Sequence, residues 1–253
     1  MTWRPRDCHA HTTHSDGHLT PAELVARAEF LGVRPGVADH SSHDVQRAVK
    51  TLDEVNEYLD HLEEFADVAR GGEFCWHDTL WRELPDETVR RMTHRVGSLH
   101  AARLPDGGWV HMFQRRMPAG LTPQSYMDAH VASLEAMLAE MPVDLLAHPT
   151  LLPLEYRKLP LEELWTEPRE ERAVAALRAS GVAFEISNRY RPHERFVRRA
   201  ADAGVRISLG SDGHTLAQVA DLAWPLALAR AVGVRDEALY DPLVHGSRTG
   251  FAP

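Results

Sequence analysis

Cysteine, lysine and long apolar runs are all scarce in this chain of 253 residues. Its two cysteines, Cys8 and Cys75, cannot build a disulfide framework. No segment approaches the roughly 18 consecutive apolar residues that cross a membrane. The N-terminal residues contain no apolar stretch of the kind found in secretory signals. We therefore expect a cytoplasmic protein with no membrane partner.

Positive charge is also in short supply. The chain has 28 lysine and arginine residues against 37 aspartate and glutamate residues, which gives a formal net charge of −9. Proteins that bind extended nucleic acid through phosphate contacts show the opposite balance, so we expect no such partner. Histidine, in contrast, is abundant, with sixteen residues. Many histidines beside few cysteines raise the possibility of metal sites built from nitrogen and oxygen ligands.

Gly-Val pairs end four polar-faced apolar segments along the chain, at Gly32, Gly181, Gly204 and Gly233. A glycine just past a helix end adopts the left-handed backbone conformation without a steric penalty. Each pair therefore predicts a turn from a helix to a strand. Four such turns indicate an α/β protein in which helices and strands alternate.

The predicted helix starts and strands support this alternation. Thr20-Pro21 begins a capping box, and Thr122-Pro123 opens a helix that runs to about Glu140. Apolar residues at spacings of three and four predict a long amphipathic helix over residues 44–67. This order favours a parallel barrel or a doubly wound sheet. The predicted strands are residues 6–10, 35–39, 72–76, 96–100, 143–148, 182–187 and 205–210.

Imidazole or carboxylate side chains lie at the C-terminal end of almost every predicted strand. In α/β barrels this end of the strands carries the active site. A catalytic zinc takes three protein ligands, so nine candidates can hold two or three divalent ions, either Zn, Mn or Fe. In chain order, the candidates are His9, His11, Asp16, His40, Glu73, His100, His148, Asp212 and His214.

The segments that carry these residues resemble, in order, the motifs of the PHP (polymerase and histidinol phosphatase) family. The resemblance spans residues 7–214 and implies a single domain over residues 1–253. It further implies a distorted (β/α)7 TIM-like barrel with a trinuclear metal centre and phosphoesterase activity. The matching segments are Asp7-Cys8-His9-Ala10-His11-Thr12 with Ser15-Asp16-Gly17, Ala38-Asp39-His40, Gly72-Glu73, Gly97-Ser98-Leu99-His100, Leu146-Ala147-His148-Pro149 and Gly210-Ser211-Asp212-Gly213-His214.

The resemblance also implies how the ligands are shared among three ions. Glu73 would bridge two of them, and Glu73, Asp212 and His214 would be the catalytic residues. Either His14 or His18 could replace Asp16 at the third ion. The implied sets are His9, His11, Glu73 and Asp212 for the first ion, Glu73, His100 and His148 for the second, and Asp16, His40 and His214 for the third.

Three arginines and one tryptophan are candidates for binding the substrate. Residues 184–192 resemble a segment of the histidinol phosphatases near which an arginine contacts phosphate. Arg191 is the better match there and Arg189 the second, with Arg157 a weaker candidate. Trp109 could pack on a substrate at the pocket rim. Solvated surface arginines and a structural tryptophan are the alternatives, and Glu185 could either orient a histidine or form a buried ion pair.

These observations predict a metal-dependent phosphatase that acts on a small phosphomonoester, with L-histidinol phosphate as the first candidate. A second possibility is a PHP phosphoesterase for nucleotides or short oligonucleotides. An amidohydrolase is a third, although such enzymes often bridge their metals with a carbamylated strand lysine, and this chain has only Lys50 and Lys158. A non-catalytic metal-binding module is the fourth.

Overall fold

Six parallel strands form a curled sheet that is consistent with a distorted TIM-like barrel. The computed structural model describes residues 3–248. Residues 1, 2 and 249–253, at the ends of the predicted domain, lie outside the described residues, and a single domain stays a prediction. In the order in which they pair across the sheet, the strands are β1 (Gly36–Ser41), β2 (Ala69–Cys75), β3 (Val96–Ser98), β6 (Leu145–Leu146), β7 (Ala183–Ser187) and β8 (Ile207–Gly210).

Helices follow most of the strands, and a small antiparallel hairpin follows β3. The hairpin consists of β4 (Ala101–Arg103) and β5 (Trp109–His111). The predicted helices at Thr20-Pro21 and Thr122-Pro123 are confirmed, each with a complete capping box. The helices are α1 (Pro21–Phe30), α2 (Leu52–Glu63), α3 (Leu80–Glu83), α4 (Asp86–Arg91), α5 (Pro123–Glu140), α6 (Leu161–Leu164), α7 (Glu167–Ser180), α8 (Glu194–Asp202), α9 (Ala223–Ala231) and α10 (Pro242–His245), with 3-10 turns at Tyr156–Lys158 and Asp236–Ala238.

The predicted first strand, residues 6–10, forms only isolated parallel bridges. On one side the backbone N–H of Ala38 in β1 donates to the carbonyl of Ala10 at 2.9 Å. On the other side the N–H of Cys8 donates to the carbonyl of Leu209 in β8, also at 2.9 Å. The segment therefore contacts both edges of the sheet. The described sheet nevertheless has six strands, where seven are predicted.

A local hydrogen bond explains why this segment is not a continuous strand. The backbone N–H of His9 donates to the carboxylate of Asp7 at 3.2 Å instead of to a neighbouring strand. A side chain two residues away thus replaces one rung of the ladder.

The long helix predicted over residues 44–67 is wrong in its first part and also extends too far, since α2 ends at Glu63. The side chain of Thr51 accepts from the N–H of Glu54, and the Glu54 carboxylate accepts from the N–H of Thr51, so α2 begins only at Leu52. Val49 forms a bridge with Ser41 of β1. Residues 44–50 are consequently a loop at the C-terminal end of β1, even though their apolar spacing fits a helix.

All four predicted helix-end glycines have a positive φ, between 70° and 88°. Strands or bridges follow Gly32, Gly181 and Gly204, as predicted. A 3-10 turn follows Gly233 instead. A further strand after Gly233 would have to pair with the outer edge of β8. That edge already contacts the segment around Cys8. Among residues 3–248, no helix has both the length and the apolar character needed to cross a membrane.

A buried histidine on α5 should make the free energy of unfolding depend on pH. Burial lowers the pKa of His130 to about 4, against about 6.5 in the unfolded chain. Between these values the unfolded state binds a proton that the folded state does not, so stability falls as the pH decreases from 6.5 to 4.

We expect His130 to account for a loss of about 2 kcal/mol between pH 7 and pH 5. Urea unfolding of the metal-free protein and of His130→Gln at both pH values measures this loss. The wild type and His130→Gln have all other histidines in common. An equal pH dependence of their free energies of unfolding would therefore contradict a lowered pKa at His130.

Candidate metal centre

The Glu73 carboxylate is fully buried, and its two oxygens face different sets of imidazoles. Oε2 lies 2.6 Å from Nδ1 of His40. The same oxygen lies 3.5 Å from Nε2 of His9 and 3.7 Å from Nε2 of His11. This oxygen of the carboxylate therefore lies close to nitrogen atoms from two separate chain segments.

The other oxygen of Glu73 faces two further histidines. Oε1 lies 3.0 Å from Nε2 of His148 and 3.4 Å from Nε2 of His100. It also accepts a hydrogen bond from the Ser98 hydroxyl. A carboxylate with imidazoles on both sides has the arrangement needed to bridge two cations.

Asp16 and Asp212 complete the cluster on the side of His214. Asp16 Oδ1 lies 3.1 Å from Nε2 of His214 and 3.6 Å from Nε2 of His40. Asp212 Oδ1 lies 3.4 Å from Nε2 of His11 and 3.6 Å from Nδ1 of His214. The structure thus brings all nine predicted ligands together, and we call them the nine-residue cluster.

The two alternatives to Asp16 lie elsewhere. The His14 ring contacts His61, with 3.0 Å between Nε2 and Nδ1 of the two rings. His18 is exposed. Asp16, in contrast, groups with His11, His40 and His214.

The donor atoms fit divalent metal ions. Four groups of three or four side chains have ligand atoms within 4.8 Å of one another, and together they include all nine residues. Glu73 Oε2, His40 Nδ1 and Asp16 Oδ1 are buried without a hydrogen bond of acceptable geometry among the described residues. Buried polar atoms without such partners are rare in folded proteins, and bound cations would satisfy them. Mixed imidazole and carboxylate ligands suit Zn, Fe and Mn.

The pKa values show how strongly these groups interact. Burial alone would raise the pKa of Glu73, but the imidazoles of His40, His100 and His9 outweigh it and hold the pKa well below its usual value. Burial lowers the pKa of His100 to about 3. Burial and the neighbouring imidazoles of His40 and His214 lower that of His11. His11 and His100 are therefore neutral near pH 7, which is the protonation state that metal ligation requires.

Parallel strand ends position the ligands. His40 of β1 pairs in register with Glu73 of β2. His100 follows β3, and its Nδ1 lies 3.1 Å from the Cys75 thiol, so its Nε2 is directed at Glu73. His148 follows β6.

Two of the predicted ligands occupy the left-handed backbone region that non-glycine residues rarely adopt. The φ angles are 27° at His148 and 48° at Asp212. Strain of this kind costs about 1–3 kcal/mol per residue and is concentrated at functional sites.

Glu185 of β7 holds two of the predicted ligands in place. Its Oε1 lies 2.8 Å from Nδ1 of His9, and its Oε2 accepts from the backbone N–H of His148 at 2.6 Å. With Nδ1 engaged, His9 presents Nε2 to the cluster. Of the two roles considered for Glu185, the structure supports the orienting one.

Two further buried carboxylates hold the loops that carry ligands. Asp7 accepts from the N–H and the hydroxyl of Ser211 at 2.9 and 2.6 Å, and burial raises its pKa to about 6. Asp39 accepts from the N–H of Thr12 and from the hydroxyl of Ser15. The sequence pattern predicts no role for either carboxylate, although Asp7 stands two residues before His9 and Asp39 directly precedes His40.

The cluster opens into a cavity of about 430 Å³ whose wall includes Arg189. Arg189 Nη1 lies 2.6 Å from Nδ1 of His214 and 3.8 Å from Asp212 Oδ1. Arg191, the better match by sequence, stacks on Trp224 at 4.8 Å and bonds to the Asn188 carbonyl, and it does not line this cavity. The structure therefore presents Arg189 to the cavity.

The other two substrate-binding candidates lie farther out. Arg157 lies over the rings of Phe113 and Tyr190, at 5.4 and 5.2 Å, and donates to the Leu152 carbonyl at 2.6 Å. Trp109 packs edge-on against Trp76 and is 37% exposed. Trp109 lines a shallower neighbouring pocket and not the main cavity.

Solved structures of other proteins share this architecture. Histidinol phosphate phosphatase HisK from Lactococcus lactis subsp. lactis Il1403, solved with zinc, L-histidinol and phosphate, is 13% identical with a TM-score of 0.68, covering 92% of this chain and 95% of that chain. A candidate histidinol phosphatase, hisK, from Listeria monocytogenes is 15% identical with a TM-score of 0.67, covering 85% and 97%. These similarities show a shared fold. No family model and no curated protein matches the sequence.

Proposed function

We propose that this chain is a metal-dependent phosphatase of the PHP type that hydrolyses a small phosphomonoester. The observation that carries the proposal is the position of Glu73, whose two oxygens each face a separate set of imidazoles beneath a cavity containing an arginine. The shared fold with HisK supports L-histidinol phosphate as the first substrate to test. The finer description of the fold as a distorted (β/α)7 barrel belongs to the same proposal.

The nine-residue cluster would hold two or three divalent ions, either Zn, Mn or Fe. Such ions lower the pKa of bound water and stabilise charge on phosphate oxygens. Glu73 would bridge two ions, and Asp212 and His214 would complete the reacting face of the cluster. Arg189 would bind the phosphate, since its guanidinium can form two parallel hydrogen bonds with phosphate oxygens.

The amidohydrolase alternative is less well supported. A carbamylated lysine would have to bridge the metals, but Lys50 donates to the His43 carbonyl in the loop before α2, and Lys158 is exposed on a 3-10 turn. Neither lysine lines the cavity. Glu73 would bridge the ions instead.

Phosphate release from p-nitrophenyl phosphate by the protein loaded with Mn²⁺ or Zn²⁺ tests the proposal. L-histidinol phosphate compared with nucleoside monophosphates, under the same conditions, then tests the substrate. Protein that holds its metals and releases no phosphate from any of these compounds would refute a phosphatase.

We expect Arg189→Ala to raise KM for a phosphomonoester about 10- to 100-fold. A hydrogen bond to a charged group contributes about 1.5–3 kcal/mol, which corresponds to this range. Arg191→Ala removes an arginine of the same segment that stacks on Trp224, and it should change KM less than threefold. Steady-state kinetics of both variants decides between the two arginines, and a larger effect at Arg191 would reverse the assignment.

A further inference from the structure

A second group of potential metal ligands lies on the outer wall of the same cavity. It consists of Asp44, His77 and His111, which we call the outer cluster. Asp44 lies in the loop after β1, His77 in the turn after β2, and His111 at the end of β5. Three separate elements therefore converge on this group, and none of its members belongs to the nine-residue cluster.

The distances suit a small cation with short bonds. Nε2 of His77 lies 2.8 Å from Asp44 Oδ2, and Nδ1 of His111 lies 3.8 Å from the same oxygen. Bonds of about 2.0–2.1 Å in a tetrahedral zinc site put neighbouring ligand atoms about 3.3 Å apart. The two observed separations bracket this value, so small side-chain rotations suffice to close the set around an ion.

A simple hydrogen bond explains only part of this arrangement. The pair formed by Asp44 and His77 is an ordinary Asp–His contact. His111 is too distant for a hydrogen bond, because its Nδ1 lies 3.8 Å from the oxygen that His77 approaches. The two rings meet edge to face, with centroids 5.1 Å apart.

The outer cluster also has a fixed member. The His77 side chain is only 8% exposed, and its Nδ1 is buried without a hydrogen-bond partner among the described residues. Its Nε2 is directed at Asp44. His77 is thus held with one nitrogen presented to the cluster, whereas the side chains of Asp44 and His111 are about half exposed, at 54% and 46%.

We propose that the outer cluster binds one additional divalent transition-metal ion, such as Zn²⁺, through two imidazoles and one carboxylate. Such a set leaves a coordination position open for water or another ligand, as in catalytic zinc sites. Because two ligands must be ordered from an exposed state, this ion binds more weakly than those of the nine-residue cluster. It therefore fills last as the Zn²⁺ concentration rises.

The proposal is tested by counting the zinc ions that each chain binds. Metal-free protein is equilibrated with increasing Zn²⁺ by dialysis, and bound zinc per chain is measured by atomic emission. The double variant Asp44→Asn/His111→Ala should bind one ion fewer than the wild type at saturation. Both substituted residues are exposed, and circular dichroism checks that the fold is retained. The single variant His111→Ala should bind this ion more weakly.

His43→Ala is the matched control. His43 directly precedes Asp44, is exposed and faces Glu83 at 3.0 Å, so its removal should leave the zinc count unchanged. Equal saturation of the double variant and the wild type would overturn the proposal, as would loss of the same ion in His43→Ala. Because the measurement uses no substrate, its outcome is independent of whether the protein is a phosphatase.

Discussion

Glu73→Gln is expected to lower kcat/KM at least about 1000-fold and to reduce the zinc bound by the nine-residue cluster. The amide is uncharged and offers one oxygen, so it cannot bridge two cations. Metal-dependent stabilisation of phosphate charge contributes several kcal/mol, and about 4 kcal/mol corresponds to a factor of 1000. Removing the carboxylate also leaves the nearest imidazoles, those of His40 and His148, without their negative partner.

Zinc content and kinetics of the same preparation measure both effects. Glu64→Gln is the control, because Glu64 is an exposed glutamate just after α2 and loses the same charge. A Glu73→Gln protein that keeps a full zinc complement and more than a tenth of the wild-type kcat/KM would exclude the bridging role.

Gly210→Ala should have the second largest effect, although Gly210 is not a ligand. A Cβ atom at this position would lie 2.1 Å from Glu185 Oε1 and 3.0 Å from the Cβ of His9. Real contacts are never this short, so the Glu185 carboxylate must move. Since Glu185 fixes His9 and His148, both ligands lose their orientation.

We expect Gly210→Ala to lower the free energy of unfolding by about 3 kcal/mol, a value typical of severe overpacking. Activity should fall about 100-fold, the upper end of the range for losing a residue that orients metal ligands. Urea unfolding and kinetics measure the two effects, and Gly108→Ala in the exposed loop between β4 and β5 is the control. If Gly210→Ala had the same free energy of unfolding as the wild type, the packing of Gly210 against Glu185 would not be rigid.

The grouping of the nine predicted ligands could be expected from the sequence, because it depends mainly on where the strands end. Most of them stand at or near the C-terminal end of a predicted strand, and the ends of parallel strands meet at one edge of a sheet. His40 and Glu73, far apart in sequence, are register partners for this reason. Asp16 groups with the other predicted ligands, whereas His14 does not. The two residues lie in one loop, which has no regular period from which the direction of each side chain could be predicted.

Two predictions differ from the structure for physical reasons. Arg189 and Arg191 differ by two positions, and only the turn after β7, together with the Trp224 ring, decides which one lines the cavity. The helical spacing of Val45 and Val49 predicts that Asp44 begins a helix. The capping box at Thr51 and the bridge at Val49 override that spacing. Tertiary contacts of this kind have no signature in local sequence.

The segment that carries His9 and His11 has a consequence for synthesis of the protein. Its backbone partners at the β8 end lie about 200 residues later, where His11 donates to the carbonyl of Gly213 at 3.0 Å and Asp212 donates to that of His9 at 2.7 Å. Closing so long a loop comes late in folding. The first ligands to leave the ribosome are therefore among the last to be placed. A chain released before β8 lacks Asp212, His214 and the backbone partners of His9 and His11, so the nine-residue cluster is complete only after β8 and the residues that follow it have been made.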